Sequence, residues 1–364
     1  MKVPQIILQE KPDYERLVSV LWREEPDRVP FYEHSVDAEV IEYFLGVQLR
    51  GMDLSKRENK VKYLKYTVKF YKGLRYDCVP FEVGLNLPKN NVISTKDTAL
   101  LSRGTRTWTD EYRGVIESIE DYESYPWPDV ENLLDYELFE ILSKLLPENM
   151  GVAGGTGGGI LEHTMQLIGY VPFFKALYRN RKLVELVFDK VGRLITEAMK
   201  IIAEYDKVVV LRNGDDWGMR TGTFISPQLM RKYVFPWYRE IVETAHKQGK
   251  PYILHSCGNL KAVMKDIIEI GVDGKHSYED AIMPVTEVKK IYGDKIAVIG
   301  GIDVDKLARY PVDKFVEYVK NIIRECCPGG GYALGSGNTI TNYSRVENYL
   351  AMLELGVKYG KYPR

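Results

Sequence analysis

The chain has 364 residues, a formal net charge of −1 and 28% charged residues. It is long enough for one large domain or two ordinary ones, and it shows no basic excess of the kind that nucleic-acid binding requires. No apolar stretch reaches the roughly 18 residues that suggest a membrane span, and the amino terminus lacks the apolar core of a signal peptide. Four cysteines, two of them adjacent, are a poor disulfide framework. We therefore expect a cytoplasmic protein that binds neither nucleic acid nor membrane.

Eight short apolar runs, most of them rich in β-branched residues, are typical of strands that are buried on both faces. They occupy residues 28–31, 78–81, 151–153, 208–211, 252–254, 272–275, 296–299 and 331–334. Segments with helical periodicity lie between them, the clearest at 183–205, 226–249, 284–292, 312–326 and 345–359. Eight alternating units of strand and helix predict a parallel (β/α)8 barrel, a TIM barrel, rather than an open doubly wound sheet.

We expect residues 1–364 to form a single barrel domain with an N-terminal helical extension. The polar stretch 86–123 is the clearest insertion and a candidate lid over the barrel mouth. The glycine run 154–159 has neither the ending of a P-loop nor the spacing of a dinucleotide-binding loop. We interpret it as room for a bulky group to approach the barrel mouth.

The fifth predicted strand ends in a His-x-Cys pair, His255 and Cys257. Residues two apart on a strand point to the same face, so the imidazole and the thiol would converge. Both are side chains that zinc prefers; the alternative is a buried histidine beside an inert cysteine. Glu279 follows the next strand and is the best third ligand, unless it is a rim carboxylate in water. Ser336 follows the last strand. Its hydroxyl is a candidate weak metal ligand or a hydrogen-bond donor to a metal ligand, or its role is purely structural.

Other polar side chains follow the remaining strands, as an active site at the carboxyl ends of barrel strands requires. Asp215 and Asp216 are candidate general acids, or they orient a metal-bound histidine, or they are merely solvated. Trp217 beside them either offers a flat face to an aromatic substrate or plugs the barrel. The remaining candidates for substrate binding are Glu33, His34, Glu162 and Asn338.

These strand ends resemble the uroporphyrinogen decarboxylase-like superfamily along nearly the whole chain. The matching stretches are 26–30, 215–218 leading to 226–227, 255–258, 276–279, 301–304 and 336–343. The decarboxylase branch itself is disfavoured. It carries an arginine-bearing N-terminal segment and a Phe-Ser-Asp stretch, whereas this chain has Phe-Tyr-Glu-His at 31–34 and Phe-Glu-Val-Gly at 81–84.

The resemblance implies the other branch, the corrinoid-dependent methyltransferases. Its thiol-methylating members bind zinc through a similar His-x-Cys pair and a further cysteine near the last strand, where this chain has Ser336. An oxygen-richer zinc is a harder Lewis acid, which favours polarising an ether oxygen. We therefore expect O-demethylation, in which a methoxylated aromatic compound gives its methyl group to the cobalt of a separate corrinoid-binding protein. Expulsion of the phenolate would need zinc or a proton from Asp215, Asp216 or Glu279.

Two alternatives remain open. The first is methylation of a thiol from a methylcorrinoid protein, as in coenzyme M methyltransferases. The second is a non-catalytic barrel that binds a tetrapyrrole or docks a corrinoid protein. Assembly as a homodimer is compatible with the sequence, which does not decide it.

Overall fold

The computed structural model describes residues 11–88, 92–110 and 112–362. The helices are α1 (Glu15–Leu21), α2 (Ala38–Leu45), α3 (Arg57–Gly73), α4 (Ile119–Ser124), α5 (Glu137–Leu145), α6 (Ile160–Ile168), α7 (Tyr170–Arg179), α8 (Arg181–Ala203), α9 (Pro227–Tyr233), α10 (Phe235–Lys247), α11 (Met264–Ile270), α12 (Val285–Tyr292), α13 (Val304–Arg309), α14 (Val312–Cys326) and α15 (Val346–Tyr359). The strands are β1 (Ser35–Val36), β2 (Cys78–Gly84), β3 (Val92–Lys96), β4 (Thr105–Thr109), β5 (Gly151–Gly157), β6 (Val208–Gly214), β7 (Gly218–Met219), β8 (Gly222–Thr223), β9 (Tyr252–His255), β10 (Gly274–His276), β11 (Ala297–Ile299), β12 (Tyr332–Ala333) and β13 (Thr339–Ile340).

Seven strands form one parallel sheet in the order β2-β5-β6-β9-β10-β11-β12. The sheet curls back towards its beginning through the extended segment 28–33, which lies beside the last strand. Phe31 forms a parallel bridge with Leu334, the Tyr32 N–H donates to the Leu334 carbonyl at 3.0 Å, and β1 continues this pairing with β13. The segment is the first barrel strand, so the predicted (β/α)8 barrel is confirmed.

The amino-terminal end of the barrel is closed by α1. Leu17, Val20 and Leu21 are at most 1% exposed and belong to a compact cluster with the side chains that fill the barrel interior. Those interior side chains are Tyr32, Cys78, Ala153, Val210, Ile253, Ala297, Ile299 and Ala333. Several of them are small (Cys78, Ala153, Ala297 and Ala333), which leaves room for the helix to insert its apolar face.

The predicted helices lie close to the observed ones, with one difference. The segment 226–249, expected as one helix, is divided into α9 and α10 at Val234. Pro236 in the first turn of α10 has no N–H to donate, and its ring clashes with a preceding helical turn, so the chain has to restart the helix there. Ser226 caps α9 as expected, since its hydroxyl accepts from the Leu229 N–H.

The polar stretch 86–123 contains the antiparallel hairpin of β3 and β4, followed by α4. Asp97, between the hairpin strands, accepts hydrogen bonds from Arg106 and from the side chain of Asn342. The hairpin is therefore tied to the loop that follows β13, at the carboxyl ends of the barrel strands. Its role as a lid stays a prediction. Within the three described ranges, no helix combines the length and the apolarity needed to cross a membrane.

The plugging role of α1 predicts a large loss of stability when its apolar face is shortened. We expect Leu17→Ala to lower the free energy of unfolding by about 2–5 kcal/mol, because the truncated side chain leaves a cavity that the rigid strands cannot fill. Urea unfolding monitored by circular dichroism measures this. The matched control is Leu100→Ala, whose side chain is 76% exposed and whose loss should cost less than about 0.5 kcal/mol. Equal stability of the two variants would contradict the role of α1 in closing the amino-terminal end of the barrel.

Candidate active and metal site

A cavity of about 560 Å³ opens at the carboxyl ends of the barrel strands. This is the end at which barrel active sites lie. Its lining is mostly polar and consists of His34, Ser35, Glu82, Gly84, Leu85, Gly157, Gly158, Glu162, His163, Gln166, Gly214, Asp216, His255, Cys257, Asn338 and Thr339. A volume of this size is enough for a small-molecule substrate.

Three potential metal ligands meet at the floor of this cavity. The ligand atoms of Asp216, His255 and Cys257 all lie within 4.8 Å of one another. The Cys257 Sγ is 3.6 Å from the His255 Nε2, and the Asp216 Oδ1 accepts from the Cys257 backbone N–H at 2.9 Å. Gly258 makes the approach possible: its φ is +87°, and a Cβ there would lie 2.2 Å from the carbonyl carbon of Gly218. The chain therefore turns sharply after Cys257 and packs against the loop that carries Asp216.

The protonation of His255 is fixed by its neighbours. The His276 Nε2 lies 3.0 Å from the Ser336 carbonyl oxygen, which can only accept, so this nitrogen carries a proton. Burial lowers the pKa of His276 to about 3, so its ring is neutral and its Nδ1 is an acceptor. The His255 Nδ1, 2.7 Å away, must then donate. The lone pair of the His255 Nε2 is left free and faces Cys257 and Asp216.

This arrangement fits a zinc ion. An imidazole nitrogen, a cysteine sulfur and a carboxylate oxygen are all zinc ligands, and a ligating histidine ordinarily donates its other ring N–H to an orienting acceptor, as His255 does to His276. Burial raises the pKa of the Cys257 thiol to about 12, and a bound cation would lower it. The sulfur also accepts from the Asn338 amide at 3.2 Å.

His34 lines the cavity beside His255, and the buried Arg212 holds it in place. The His34 ring stacks on His255 with centroids 3.7 Å apart. Arg212 donates to the His34 Nδ1 at 3.0 Å, so a neutral His34 carries its proton on Nε2. Burial, together with the neighbouring His255 and the charge of Arg212, holds the pKa of His34 well below its usual value. Arg212 also forms an ion pair with Glu82 at 2.8 Å.

Arg212, Glu82 and His276 were not among the residues predicted for the site. Arg212 had a detectable signal in the sequence, because it is a charged residue that continues the apolar run of β6. Buried arginines ordinarily require a paired acid, and its partner Glu82 follows the predicted second strand. His276 had a weaker signal, since its partner is a backbone carbonyl.

Glu33 and Ser336 form a buried pair and do not line the cavity. Both are fully buried. The Ser336 hydroxyl donates to Glu33, and the Ser336 N–H lies 3.0 Å from the Glu33 Oε1. This corrects two expectations: Ser336 is not available as a metal ligand, and Glu33 does not face a substrate. Burial raises the pKa of Glu33 to about 8.

Asp215 and Trp217 are also buried. Asp215 accepts from the N–H groups of Leu161 and Glu162 at 3.0 and 2.9 Å, so it occupies the amino terminus of α6. Gly159 permits this contact, since a Cβ there would lie 2.1 Å from the Asp215 Cβ. Gly159 thus makes room for this chain's own Asp215, whereas Gly157 and Gly158 line the cavity, where room for a bulky group stays a prediction. Asp215 is not placed as a general acid.

Trp217 is 0% exposed and packs against Phe235 and Tyr238, with ring centroids 5.5 and 4.9 Å away. The interpretation of Trp217 as a stacking surface for an aromatic substrate is therefore wrong. Its other interpretation, as a core residue near the barrel end, agrees with these contacts.

Glu279 does not join His255 and Cys257. Its side chain is exposed and lines two adjacent depressions rather than the main cavity. Among the described residues, Asp216 is the carboxylate that completes a three-residue group with the His-x-Cys pair.

Glu162 and Asn338 do line the cavity, and their binding roles stay predictions. Burial and the charges of Asp215 and Asp216 raise the pKa of Glu162 to about 8.

Comparison with known proteins places the chain in a family. The family described as uroporphyrinogen decarboxylase (URO-D) matches residues 112–359, more than half of the chain. The chain therefore belongs to the URO-D family. The match begins within the polar stretch before α4 and includes all three candidate ligands.

Two similar curated proteins are methyltransferases. A methylcobamide:CoM methyltransferase MtaA from Methanosarcina barkeri is 24% identical over 226 residues, 61% of this chain and 62% of the relative. Another of the same name, from Methanosarcina barkeri (strain Fusaro / DSM 804), is 31% identical over 108 residues, 29% of this chain and 30% of the relative. The matched regions thus span less than two thirds of these relatives. A solved methyltransferase from Methanosarcina mazei has the same fold, with a TM-score of 0.68 at 18% identity over 96% of this chain and 99% of that one.

The contact between His276 and His255 predicts an effect on metal affinity. We expect His276→Leu to weaken zinc binding by about 10- to 100-fold, because the His255 Nδ1–H loses its acceptor and the ring loses its orientation. Competition with a chromophoric chelator measures the affinity. The control is His246→Leu, a histidine at the other end of the barrel that pairs with Asp273. Unchanged zinc affinity in His276→Leu would refute the orienting role.

The raised pKa of Glu33 predicts a pH dependence of stability. Its pKa is about 8 in the folded protein against 4.5 for the unperturbed group, so the folded state holds the proton more tightly. The protonated Glu33 side chain therefore stabilises the folded state fully below about pH 4.5. This stabilisation is lost as the pH rises towards about 8, and the loss amounts to a few kcal/mol, at about 1.4 kcal/mol per pKa unit. Glu33→Gln lacks this loss.

Urea unfolding of wild type and Glu33→Gln at about pH 5 and about pH 8.5 isolates the contribution, because other titrating groups are common to both proteins. Wild type should lose more stability than the variant between the two pH values. A stability difference between the two proteins that does not change with pH would show that Glu33 is already ionised in the folded state.

Proposed function

We propose that this protein is a corrinoid-dependent methyltransferase that passes the methyl group of a methylated corrinoid, carried by a partner protein, to a small thiol. The observation that carries the proposal is the group of Asp216, His255 and Cys257, with the His255 Nε2 lone pair free, at the floor of an open cavity. Membership of the URO-D family and similarity to two methylcobamide:CoM methyltransferases support it.

Asp216, His255 and Cys257 would hold a zinc ion in this function. Zinc there would supply the positive charge that keeps a substrate thiol deprotonated at neutral pH. His276 orients His255, and the Asn338 amide donates to the Cys257 sulfur. The neutral His34, stacked on His255, has its proton-bearing Nε2 3.8 Å from the Glu82 Oε2.

The open mouth of the cavity determines where the partner has to approach. The three ligands lie at its floor, and the surrounding strand ends block access from below, because the barrel interior is filled by side chains. The corrinoid must therefore present its methyl group from the carboxyl-terminal face, above the substrate sulfur. A methyl transfer of this kind requires the carbon to lie in line between cobalt and sulfur.

A thiol acceptor has more support than the aryl ether expected first. That expectation depended on Ser336 as an oxygen ligand and on Trp217 as a stacking surface, and both side chains are buried in other contacts. None of the described residues that line the cavity is Phe, Tyr or Trp. O-demethylation of a methoxylated aromatic remains the second candidate because Asp216 still gives the ligand group one oxygen.

The experiment mixes zinc-loaded protein, a methylated corrinoid protein and a series of small thiols, and follows the corrinoid absorption spectrum. We expect demethylation of the corrinoid and formation of the thioether. Cys257→Ala and His255→Ala should each lower the rate by more than the roughly 100-fold that loss of an outer partner can cost. His246→Ala is the matched control.

The reverse arrangement, with reduced corrinoid protein and methoxylated aromatics, tests the second candidate. Methylation of cobalt by aryl ethers, together with inert thiols, would replace the first proposal with O-demethylation. No turnover in either direction by a protein that binds the corrinoid partner would instead support a non-catalytic docking barrel.

A further inference from the structure

Lys275, on β10, is a buried cation without an acidic partner among the described residues. It is 2% exposed, and its hydrogen bonds go to backbone carbonyl oxygens rather than to a carboxylate. Burying a charge is costly unless a charge of opposite sign lies beside it. Four other buried basic side chains do have such a carboxylate, namely Arg16, Arg28, Lys60 and Arg212. Lys275 therefore calls for a counter-ion of another kind.

The hydrogen bonds of Lys275 show that its amine is charged. The Nζ atom lies 3.0 and 3.2 Å from the carbonyl oxygens of Ser256 and His276, and it also donates to the carbonyl of Ser277. A carbonyl oxygen has no proton to give, and a neutral amine has only two N–H donors, so three carbonyl acceptors require the ammonium form. The centre of the Tyr278 ring is 4.4 Å from the Nζ atom and adds a cation–π contact.

The ammonium lies against the loop that carries Cys257. Ser256, whose carbonyl accepts from it, is the residue before Cys257, and the Ser277 hydroxyl lies 3.5 Å from the Cys257 sulfur. Asp216 reaches the same loop, because its Oδ1 accepts from the Cys257 N–H. Burial lowers the pKa of Lys275 to about 8, and the charges of Cys257 and Asp216 oppose that fall. The ammonium form therefore predominates at neutral pH.

The net charge of the occupied site would change when a thiolate binds. A zinc dication held by the Cys257 thiolate, the Asp216 carboxylate and the neutral His255 carries no net charge. A substrate thiolate, as the fourth ligand, adds one negative charge. A fixed ammonium nearby attracts that charge, and the attraction is stronger where the surroundings are largely protein rather than water.

We infer that Lys275 is the counter-ion of the bound substrate thiolate and selects an anionic fourth ligand over a neutral one. Three carbonyls hold the ammonium in place, and no carboxylate of the described residues pairs with it. Lys275 acts through its charge and not as a metal ligand, an acid or a base. The inference rests on the proposed function for the thiolate and on the contacts of Lys275 for the charge.

The test compares an anionic and a neutral ligand on the same metal, without any corrinoid. Protein loaded with Co²⁺ in place of zinc is titrated with mercaptoethanol, which binds as a thiolate, and with imidazole, which binds as a neutral molecule. The visible absorption of Co²⁺ gives both affinities. Lys275→Gln keeps N–H donors for the carbonyls but removes the charge. We expect it to weaken mercaptoethanol binding by on the order of tenfold and imidazole binding by less than about threefold.

Three further variants separate the charge from the hydrogen bonds. Lys275→Arg keeps the charge and should keep the preference for mercaptoethanol, whereas Lys275→Met, a second uncharged variant, should lose it. The matched control is Lys250→Gln, a half-buried lysine that donates to the backbone carbonyls of Ala203 and Tyr205. This control should leave both affinities unchanged.

Equal weakening of mercaptoethanol and imidazole binding in the uncharged variants would assign Lys275 a structural role and overturn the inference. Failure of both uncharged variants to fold would do the same. Methyl transfer from the corrinoid protein is measured separately. If the charge preference is found but wild type methylates no thiol, the proposed function fails while the preference for an anionic ligand stands. If thiols are methylated but Lys275→Gln distinguishes the two ligands as wild type does, the proposed function stands and the counter-ion is wrong.

Discussion

The candidate site depends on one chain of hydrogen bonds across three barrel strands. The Ser336 carbonyl after the last strand accepts from His276 on β10, and His276 accepts from His255 on β9. A carbonyl oxygen has no proton to give, so the direction of both bonds is fixed from this end. The result is a neutral His255 whose Nε2 can bind a cation. Curling of the sheet is what brings the last strand close enough to begin this chain.

Neighbouring carboxyl groups serve opposite purposes in this protein. Asp215 and Asp216 are adjacent, and successive residues of an extended chain point to opposite sides. Asp215 points into the protein and holds the amino terminus of α6, while Asp216 faces Cys257 and the cavity. In the same way, the Glu33 carboxyl group accepts hydrogen bonds from the backbone N–H and the hydroxyl of Ser336 and does not reach the cavity. Two of the acids that follow the strands are therefore structural.

The strands and the His-x-Cys pair could be predicted because both depend on local regularity. Short apolar runs specify buried parallel strands. The His-x-Cys spacing predicted that His255 and Cys257 converge, and they do, although β9 ends at His255 and Cys257 lies in the loop that follows. The third member of the group could not be predicted in this way. Strand order suggested Glu279 on the following loop, but the turn at Gly258 brings Cys257 back against the preceding loop, where Asp216 lies. His276 was missed because its acceptor is a backbone carbonyl, which no residue type reveals.

X-ray absorption at the zinc edge of the loaded protein, recorded with and without a thiol, tests the central claim most directly. The account predicts one sulfur at about 2.3 Å and nitrogen or oxygen ligands at about 2.0–2.2 Å in the protein alone. Adding the thiol should bring a second sulfur into the first coordination shell. A protein that binds no zinc, or a zinc whose sulfur count does not change when thiol is added, would contradict the account.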